Sequence, residues 1–152
     1  MSKKLTKSSK NVRVGVLGSG SFATAIVKML AENCKTVNWC VRNEFVKGAI
    51  EQRGHNPTYL TTVSFNLKKL QITTDINELV SNSDVIILAV PSIYLAESME
   101  KMTCEYQDKL FCSAIKGIVP KHHDIVTHYL KDQFKICFKN QAVIPAPSPT
   151  TE

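Results

Sequence analysis

The chain has 152 residues, of which 43% are hydrophobic and 21% are charged, and it carries a formal net charge of +6. These values are typical of one globular domain, and no stretch reaches the ~18 apolar residues of a membrane span. Four of the six net charges are lysines of the first ten residues, and no basic stripe interleaved with aromatics follows. We therefore expect neither a membrane nor a nucleic-acid partner.

The amino terminus and the cysteines bear on the compartment. Residues 1–11 are rich in lysine, and no apolar segment of a secretory signal follows, so we expect a disordered basic tail. Five cysteines, an odd number without a CxxC pair, indicate reduced thiols and predict a cytoplasmic protein. His122, His123 and His128 are expected at the surface and no metal site is predicted, because adjacent histidines point to different faces.

Apolar periodicity predicts strands and helices in alternation. The predicted strands are short apolar runs at 12–17, 36–41, 70–74, 84–91, 110–117 and 142–145. The predicted helices show one-face apolar spacing or capping residues, at 21–31, 45–54, 75–83, 92–102 and 123–134. Asp75 with Glu78 has the spacing of a capping box, Ser92 is an expected cap, and Gly54 is an expected stop.

This alternation predicts an α/β fold in residues 12–145, a Rossmann-type doubly wound parallel sheet with helices on both faces. The carboxyl ends of parallel strands meet at one edge of the sheet, where ligands bind. We therefore expect four segments to share one crevice: 18–23, 41–43, 90–94 and 115–117.

The segment between the first strand and the first helix has the pattern G-x-G-x-x-A. The first glycine allows a tight turn, the second lets a pyrophosphate approach the backbone, and the small alanine lets helix and strand pack closely. The pattern predicts a dinucleotide site built from Gly18, Ser19, Gly20, Ser21, Phe22 and Ala23. A plain glycine turn without a ligand is the alternative.

Arg42 stands at the end of the second strand, where NAD-binding domains usually have an acidic residue for the ribose hydroxyl. A guanidinium cannot accept those hydrogen bonds, but it can pair with a 2′-phosphate or stack on adenine. The residue favours NADP, while the neighbouring Glu44 leaves NAD open. An ordinary solvated arginine is the alternative.

Five motifs in this order, "GSGSFATAI", "VNWCVRN", "HNPTYL", "DVIILAVPS" and "SAIKGI", resemble the N-terminal cofactor domain of NAD(P)-dependent glycerol-3-phosphate dehydrogenases. The resemblance covers roughly residues 12–144. It implies hydride transfer between glycerol 3-phosphate and dihydroxyacetone phosphate, with Ser21 and Phe22 contacting the cofactor and Arg42 meeting the adenosine ribose or its phosphate.

Two further residues gain a role from the resemblance. Tyr94 would lie beside the cofactor, and packing of this tyrosine on its helix is the alternative. Lys116 would lie between cofactor and substrate. A lysine at a strand's carboxyl end also suits an anionic substrate on chemical grounds, and an ordinary surface lysine is the alternative.

The resemblance assigns the proton-transferring lysine to a second, helical domain, so no catalytic residue is expected among these 152. Residues 146–152, "APSPTTE", resemble a truncated start of that domain. We expect dinucleotide binding without turnover by the chain alone, with the missing helical domain or a homo-oligomer as partner. A fragment, a decayed remnant and half of a split protein remain open, and a stand-alone, non-catalytic NAD(P)-binding module is the alternative function.

Overall fold

The computed structural model describes residues 11–145, so residues 1–10 of the predicted tail and the whole segment 146–152 lie outside the described residues. Its strands are β1 Val14–Leu17, β2 Val37–Cys40, β3 Leu70–Thr73, β4 Val85–Leu88, β5 Leu110–Ser113, β6 Ile118–Val119, β7 Asp124–Ile125 and β8 Gln141–Val143. Its helices are α1 Ser21–Asn33, α2 Glu44–Arg53, α3 Ile76–Ser81, α4 Ser92–Glu100 and α5 Val126–Phe134. In this part of the chain no helix combines the length and the apolar character needed to cross a bilayer.

Six strands form one parallel sheet in the order β3-β2-β1-β4-β5-β8. The chain leaves β1 toward β2 and β3, then crosses back to β4, so the order reverses between β1 and β4. This reversal defines a doubly wound sheet and opens a crevice at the carboxyl ends of the two central strands. The predicted Rossmann-type parallel sheet is confirmed.

Helices cover both faces of the sheet, as predicted. Successive strand residues point to opposite faces, so Val16 and Ile87 pack with α1 and α2, whereas Leu17, Ile86 and Leu88 pack with α3, α4 and α5. The two apolar clusters therefore lie on either side of the sheet. This burial on both faces explains why the central strands are almost wholly apolar in sequence.

Local capping chemistry agrees with the sequence at α2 and differs at the two next helices. Gly54 ends α2 with φ of 76°, as predicted. Asp75 caps α3 by accepting from the backbone N–H of Asn77, but the predicted capping box is wrong, because Glu78 accepts from the hydroxyl of Thr73 instead. Ser92 is the first helical residue of α4 and not its cap.

A small antiparallel hairpin replaces the predicted start of the last helix. Strands β6 and β7 pair Ile118 with Ile125, and α5 begins only at Val126. His123 has φ of 51°, a left-handed conformation that no α-helix contains. The predicted helix start at residue 123 is therefore wrong, three residues before the observed start. Two-residue strands are too short to show a periodicity in sequence.

An ion pair joins the amino ends of β1 and β4. The Arg13 guanidinium donates to both carboxylate oxygens of Asp84, at 3.0 and 3.3 Å, and the Arg13 backbone N–H donates to the same carboxylate at 2.9 Å. The Arg13 side-chain hydrogen bond is the main cause that lowers the pKa of Asp84 from its ordinary 3.8 to about 2. The two central strands are thus tied together at the end opposite the crevice.

The Asp84 ion pair predicts a specific loss of stability in acid. The folded pKa lies below the unfolded value, so the contribution is present above about pH 4 and is lost as pH falls through about 2. Both side chains are about half exposed, which keeps the effect below ~1 kcal/mol. Thermal melts across this pH range should show a shallower acid loss for Asp84→Asn. The exposed α2 control Glu51→Gln should behave as wild type, and a wild-type acid slope in Asp84→Asn would contradict the prediction.

Candidate functional site

A cleft of about 410 Å³ lies at the carboxyl edge of the sheet, beside the β1/β4 reversal. Its walls come from the carboxyl ends of the first four strands and the segments after them, namely 17–20, 40–42, 74–76 and 90–91, together with Tyr59 and one side of α4. Parallel topology thus collects residues far apart in sequence around one space.

Gly18 makes the turn out of β1 and requires the absence of a side chain. Its φ is 128°, and an added Cβ would collide with the carbonyl oxygen of Ala89 while lying 2.8 Å from the carbonyl carbon. The backbone N–H of Gly18 donates to the Cys40 carbonyl at 3.0 Å. The turn is therefore pressed between β2 and the segment that follows β4.

Gly20 differs from Gly18, because its conformation is open to any residue. It precedes α1 with φ of −77° and ψ of −174°, and an added Cβ would meet no atom within 4 Å. Gly20 provides no side-chain cap, and the first turn of α1 holds no acidic residue. Among the described residues, the backbone N–H groups of Ser19, Gly20 and Ser21 find no acceptor. A ligand anion suits these donors, which the helix dipole reinforces.

Three buried side chains hold the carbonyl groups of residues 18–20 from the protein side. The indole Nε1 of Trp39 donates to the Gly18 carbonyl at 2.7 Å, and the amide Nδ2 of Asn56 donates to the Ser19 carbonyl at 3.0 Å. The hydroxyl of Thr24 donates to the Gly20 carbonyl at 2.7 Å. All three residues stand in the quoted motifs, but no chemical role was predicted for them from the sequence.

Arg42 follows β2 and lines the cleft with an exposed side chain. Its backbone N–H donates to the Ser19 hydroxyl at 3.2 Å, which links the two segments. Glu44, the residue that left NAD open, lies outside the lining and accepts from the Thr74 hydroxyl at 2.8 Å. The end of β2 therefore presents a cation and no carboxylate of Glu44 to the cleft.

The structure gathers five of the nine predicted site residues around the cleft: Gly18, Ser19, Gly20, Arg42 and Tyr94. Tyr94 lies in the first turn of α4 and is 47% exposed. The lining also includes Tyr59, Asp75 and Lys101, which were not predicted as site residues from the sequence.

The other four predicted residues lie outside the lining. Ser21 is exposed at the start of α1, Phe22 packs half-buried against the core, and Ala23 is fully buried under the loop. Lys116 is exposed after β5 and precedes Gly117, whose φ is 86°. The segment 115–117 thus does not join this cleft as expected, and the roles of all four residues stay predictions.

The cysteines offer no reactive thiol in the cleft. All five are free, and Cys40, which lines the cleft, is buried. Burial raises the pKa of Cys40 to about 12, so its thiol stays protonated and a poor nucleophile. Within residues 11–145, no cluster of three histidine, cysteine or acidic side chains could hold a metal ion.

The parallel sheet with its reversal and the glycine turn before α1 define the class of dinucleotide-binding Rossmann domains. The family model described as the NAD-dependent glycerol-3-phosphate dehydrogenase N-terminus matches residues 13–152. The chain therefore belongs to this family, and the resemblance drawn from its motifs is confirmed.

Individual relatives agree with the family match. Glycerol-3-phosphate dehydrogenase [NAD(P)+] of Myxococcus xanthus is 33% identical over 116 residues, covering 76% of this chain and 30% of that protein. The enzyme of the same name from Ectopseudomonas mendocina is 28% identical over 119 residues, covering 78% and 35%. A Plasmodium falciparum glycerol-3-phosphate dehydrogenase structure has a TM-score of 0.66 at 26% identity and covers 80% and 37%. The chain thus spans about a third of the length of these relatives.

Adding a side chain to Gly18 should destabilise the fold. Gly18→Ala combines left-handed backbone strain with a collision against the Ala89 carbonyl, in the segment after β4. We therefore expect a loss of about 3 kcal/mol in the free energy of unfolding. Chemical denaturation measures this change. Gly48→Ala in α2 is the matched control, since its added Cβ meets open space, and it should gain about 0.5–1 kcal/mol. Equal stability of the two variants would contradict the prediction.

Proposed function

We propose that this chain binds NADP(H) or NAD(H) in the cleft, as the cofactor domain of a glycerol-3-phosphate dehydrogenase. The observation that carries the proposal is the row of N–H groups at Ser19, Gly20 and Ser21, which have no acceptor among the described residues and lie where the strand order reverses. The open space beside Gly20 fits a pyrophosphate, because any side chain there would occupy the approach to the main chain.

Each residue of the glycine segment has its own part in this proposal. Gly18 makes the turn, while Ser19, Gly20 and Ser21 supply the N–H donors to the pyrophosphate. Phe22 adds a fourth donor, the N–H of the first turn of α1, which a helix leaves unpaired. Ala23 acts indirectly, since its small buried side chain lets α1 approach the sheet.

The adenosine half of the cofactor is assigned to the side of the cleft formed after β2. Arg42 would pair with a 2′-phosphate, and the aromatic faces of Tyr59 and Tyr94 border the same space. The Glu44 carboxylate accepts from the Thr74 hydroxyl and lies outside the cleft lining, so it does not offer an acceptor to a ribose 2′-hydroxyl. This supports NADP over NAD. Lys101 directly follows the last residue of α4, and its Nζ lies 3.6 Å from the Glu97 carboxylate.

The substrate side of the proposal rests on Lys116 and on the family. The chemistry that a bound nicotinamide would supply there is hydride exchange with the secondary carbon of the substrate. Lys116 is proposed to bind the polar groups of glycerol 3-phosphate or dihydroxyacetone phosphate. Further contacts would come from a helical domain, as the resemblance implies for the whole protein, or from a second copy of the chain. The five free thiols support a cytoplasmic location.

Filling the space beside Gly20 should abolish tight cofactor binding without harming the fold. Gly20→Ala keeps an allowed backbone and meets no neighbour, so the melting temperature should fall only slightly, because alanine is a poorer N-cap than glycine. We expect affinity for NADPH to fall about tenfold or more by calorimetric titration. Gly48→Ala should bind as wild type. The proposed function would be wrong if wild type bound neither NADPH nor NADH at millimolar concentration.

Removing the Arg42 guanidinium should separate the two cofactors. A charge-assisted bond to phosphate predicts that Arg42→Ala weakens NADPH binding by about 10- to 100-fold and leaves NADH binding within about twofold. The control Arg53→Ala removes an exposed arginine from the end of α2 and should change neither affinity. Equal wild-type affinities for both cofactors, unaltered in Arg42→Ala, would remove Arg42 from the site.

A further inference from the structure

The carbonyl groups of residues 18–20 all point away from the ligand side, and each is held there by a buried side chain. Trp39, Asn56 and Thr24 are each 0% exposed, so none of these three donors can bond to bulk water in place of the loop carbonyls. Buried donors of this kind are costly to leave unpaired. The conformation of the loop is therefore fixed by the buried side chains on its protein side.

Holding a carbonyl also fixes the direction of the next N–H. The loop peptides are trans, and in a planar trans peptide the C=O of one residue and the N–H of the next point in opposite directions. The inward carbonyls of residues 18–20 thus aim the N–H groups of residues 19–21 outward. Successive outward N–H groups form a concave anion site.

Asn56 occupies the centre of this arrangement. Its Nδ2 donates to the Ser19 carbonyl and to the Thr24 hydroxyl, each at 3.0 Å. The Thr24 hydroxyl in turn donates to the Gly20 carbonyl. One amide group therefore controls two of the three peptides, one directly and one through Thr24.

The other end of the Asn56 amide faces a second part of the cleft. Its Oδ1 accepts from the backbone N–H of Thr58 at 2.9 Å and of Tyr59 at 3.1 Å. These bonds fix the turn that brings Tyr59 to the cleft wall. The same side chain thus connects the glycine loop with the wall assigned to adenosine.

We infer that Thr24 and Asn56 are positioning residues for the dinucleotide, an inference that rests on the proposed function. Thr24 orients only the N–H donors to the pyrophosphate. Asn56 orients those donors and also Tyr59, so that the two halves of the cofactor meet a site set by one buried amide. Neither side chain lines the cleft, and both act through the main chain.

Two ligands separate this role from simple stabilisation of the fold. NADPH carries a pyrophosphate, whereas adenosine 2′-monophosphate carries only the phosphate proposed for Arg42. Thr24→Val removes the hydroxyl with little change in shape. It should weaken NADPH about tenfold and leave the affinity for adenosine 2′-monophosphate within about twofold. Thr24→Ser restores the hydroxyl and should return NADPH affinity to within about threefold of wild type.

A second variant tests Asn56 independently. Asn56→Asp keeps oxygens for the Thr58 and Tyr59 N–H groups but lacks the two donors to the loop. It should weaken NADPH about tenfold or more, and NMR titration should no longer shift the amides of residues 19–21. The control Ser83→Ala removes a buried hydroxyl that accepts from Asn38 at the far end of the sheet, and it should lower stability only.

The outcomes are distinct. Selective loss of NADPH affinity with rescue by Thr24→Ser supports the inference. NADPH binding as tight as wild type in Thr24→Val and Asn56→Asp would overturn it while the proposed function stands. Equal loss of both ligands in Thr24→Val would also overturn it, as would a parallel loss in Ser83→Ala. Failure of wild type to bind either nicotinamide nucleotide would overturn the inference and the proposed function together.

Discussion

The close approach of the backbone at Gly18 to the segment after β4 is the constraint on which the site depends. Only a residue without Cβ fits there, since φ is 128° and the Ala89 carbonyl occupies the space of a side chain. This contact turns the chain sharply out of β1, so that α1 begins at the edge of the sheet. The positive end of a 13-residue helix then faces the cleft.

Parallel pairing converts this local turn into a site. Because β1, β2, β3 and β4 run in the same direction, the residues that follow each of them converge at one edge. The reversal between β1 and β4 sends the helices to opposite faces and leaves the crevice uncovered. Family membership agrees with this geometry, and the match to relatives about three times as long concerns their cofactor-binding part.

Buried polar groups give the loop its conformation. Apolar packing alone would position α1 against the sheet, but it would not decide which way each peptide of the loop faces. The indole of Trp39, the amide of Asn56 and the hydroxyl of Thr24 fix these directions, because each of these buried donors would lose a hydrogen bond if its loop carbonyl turned away. The hydrogen bonds that satisfy these groups therefore also orient the N–H groups of residues 19–21 toward the cleft.

The sequence by itself determined the strand and helix alternation, the glycine turn, the arginine after β2 and the family, because these depend on periodicity and on local backbone requirements. Tertiary structure decided what periodicity cannot encode. Asn56 lies 37 residues from Ser19, and only folding brings the two together. The β6–β7 hairpin, Glu78 bonded to Thr73, and Lys116 outside the cleft lining likewise depend on three-dimensional neighbours, which a one-dimensional pattern does not specify.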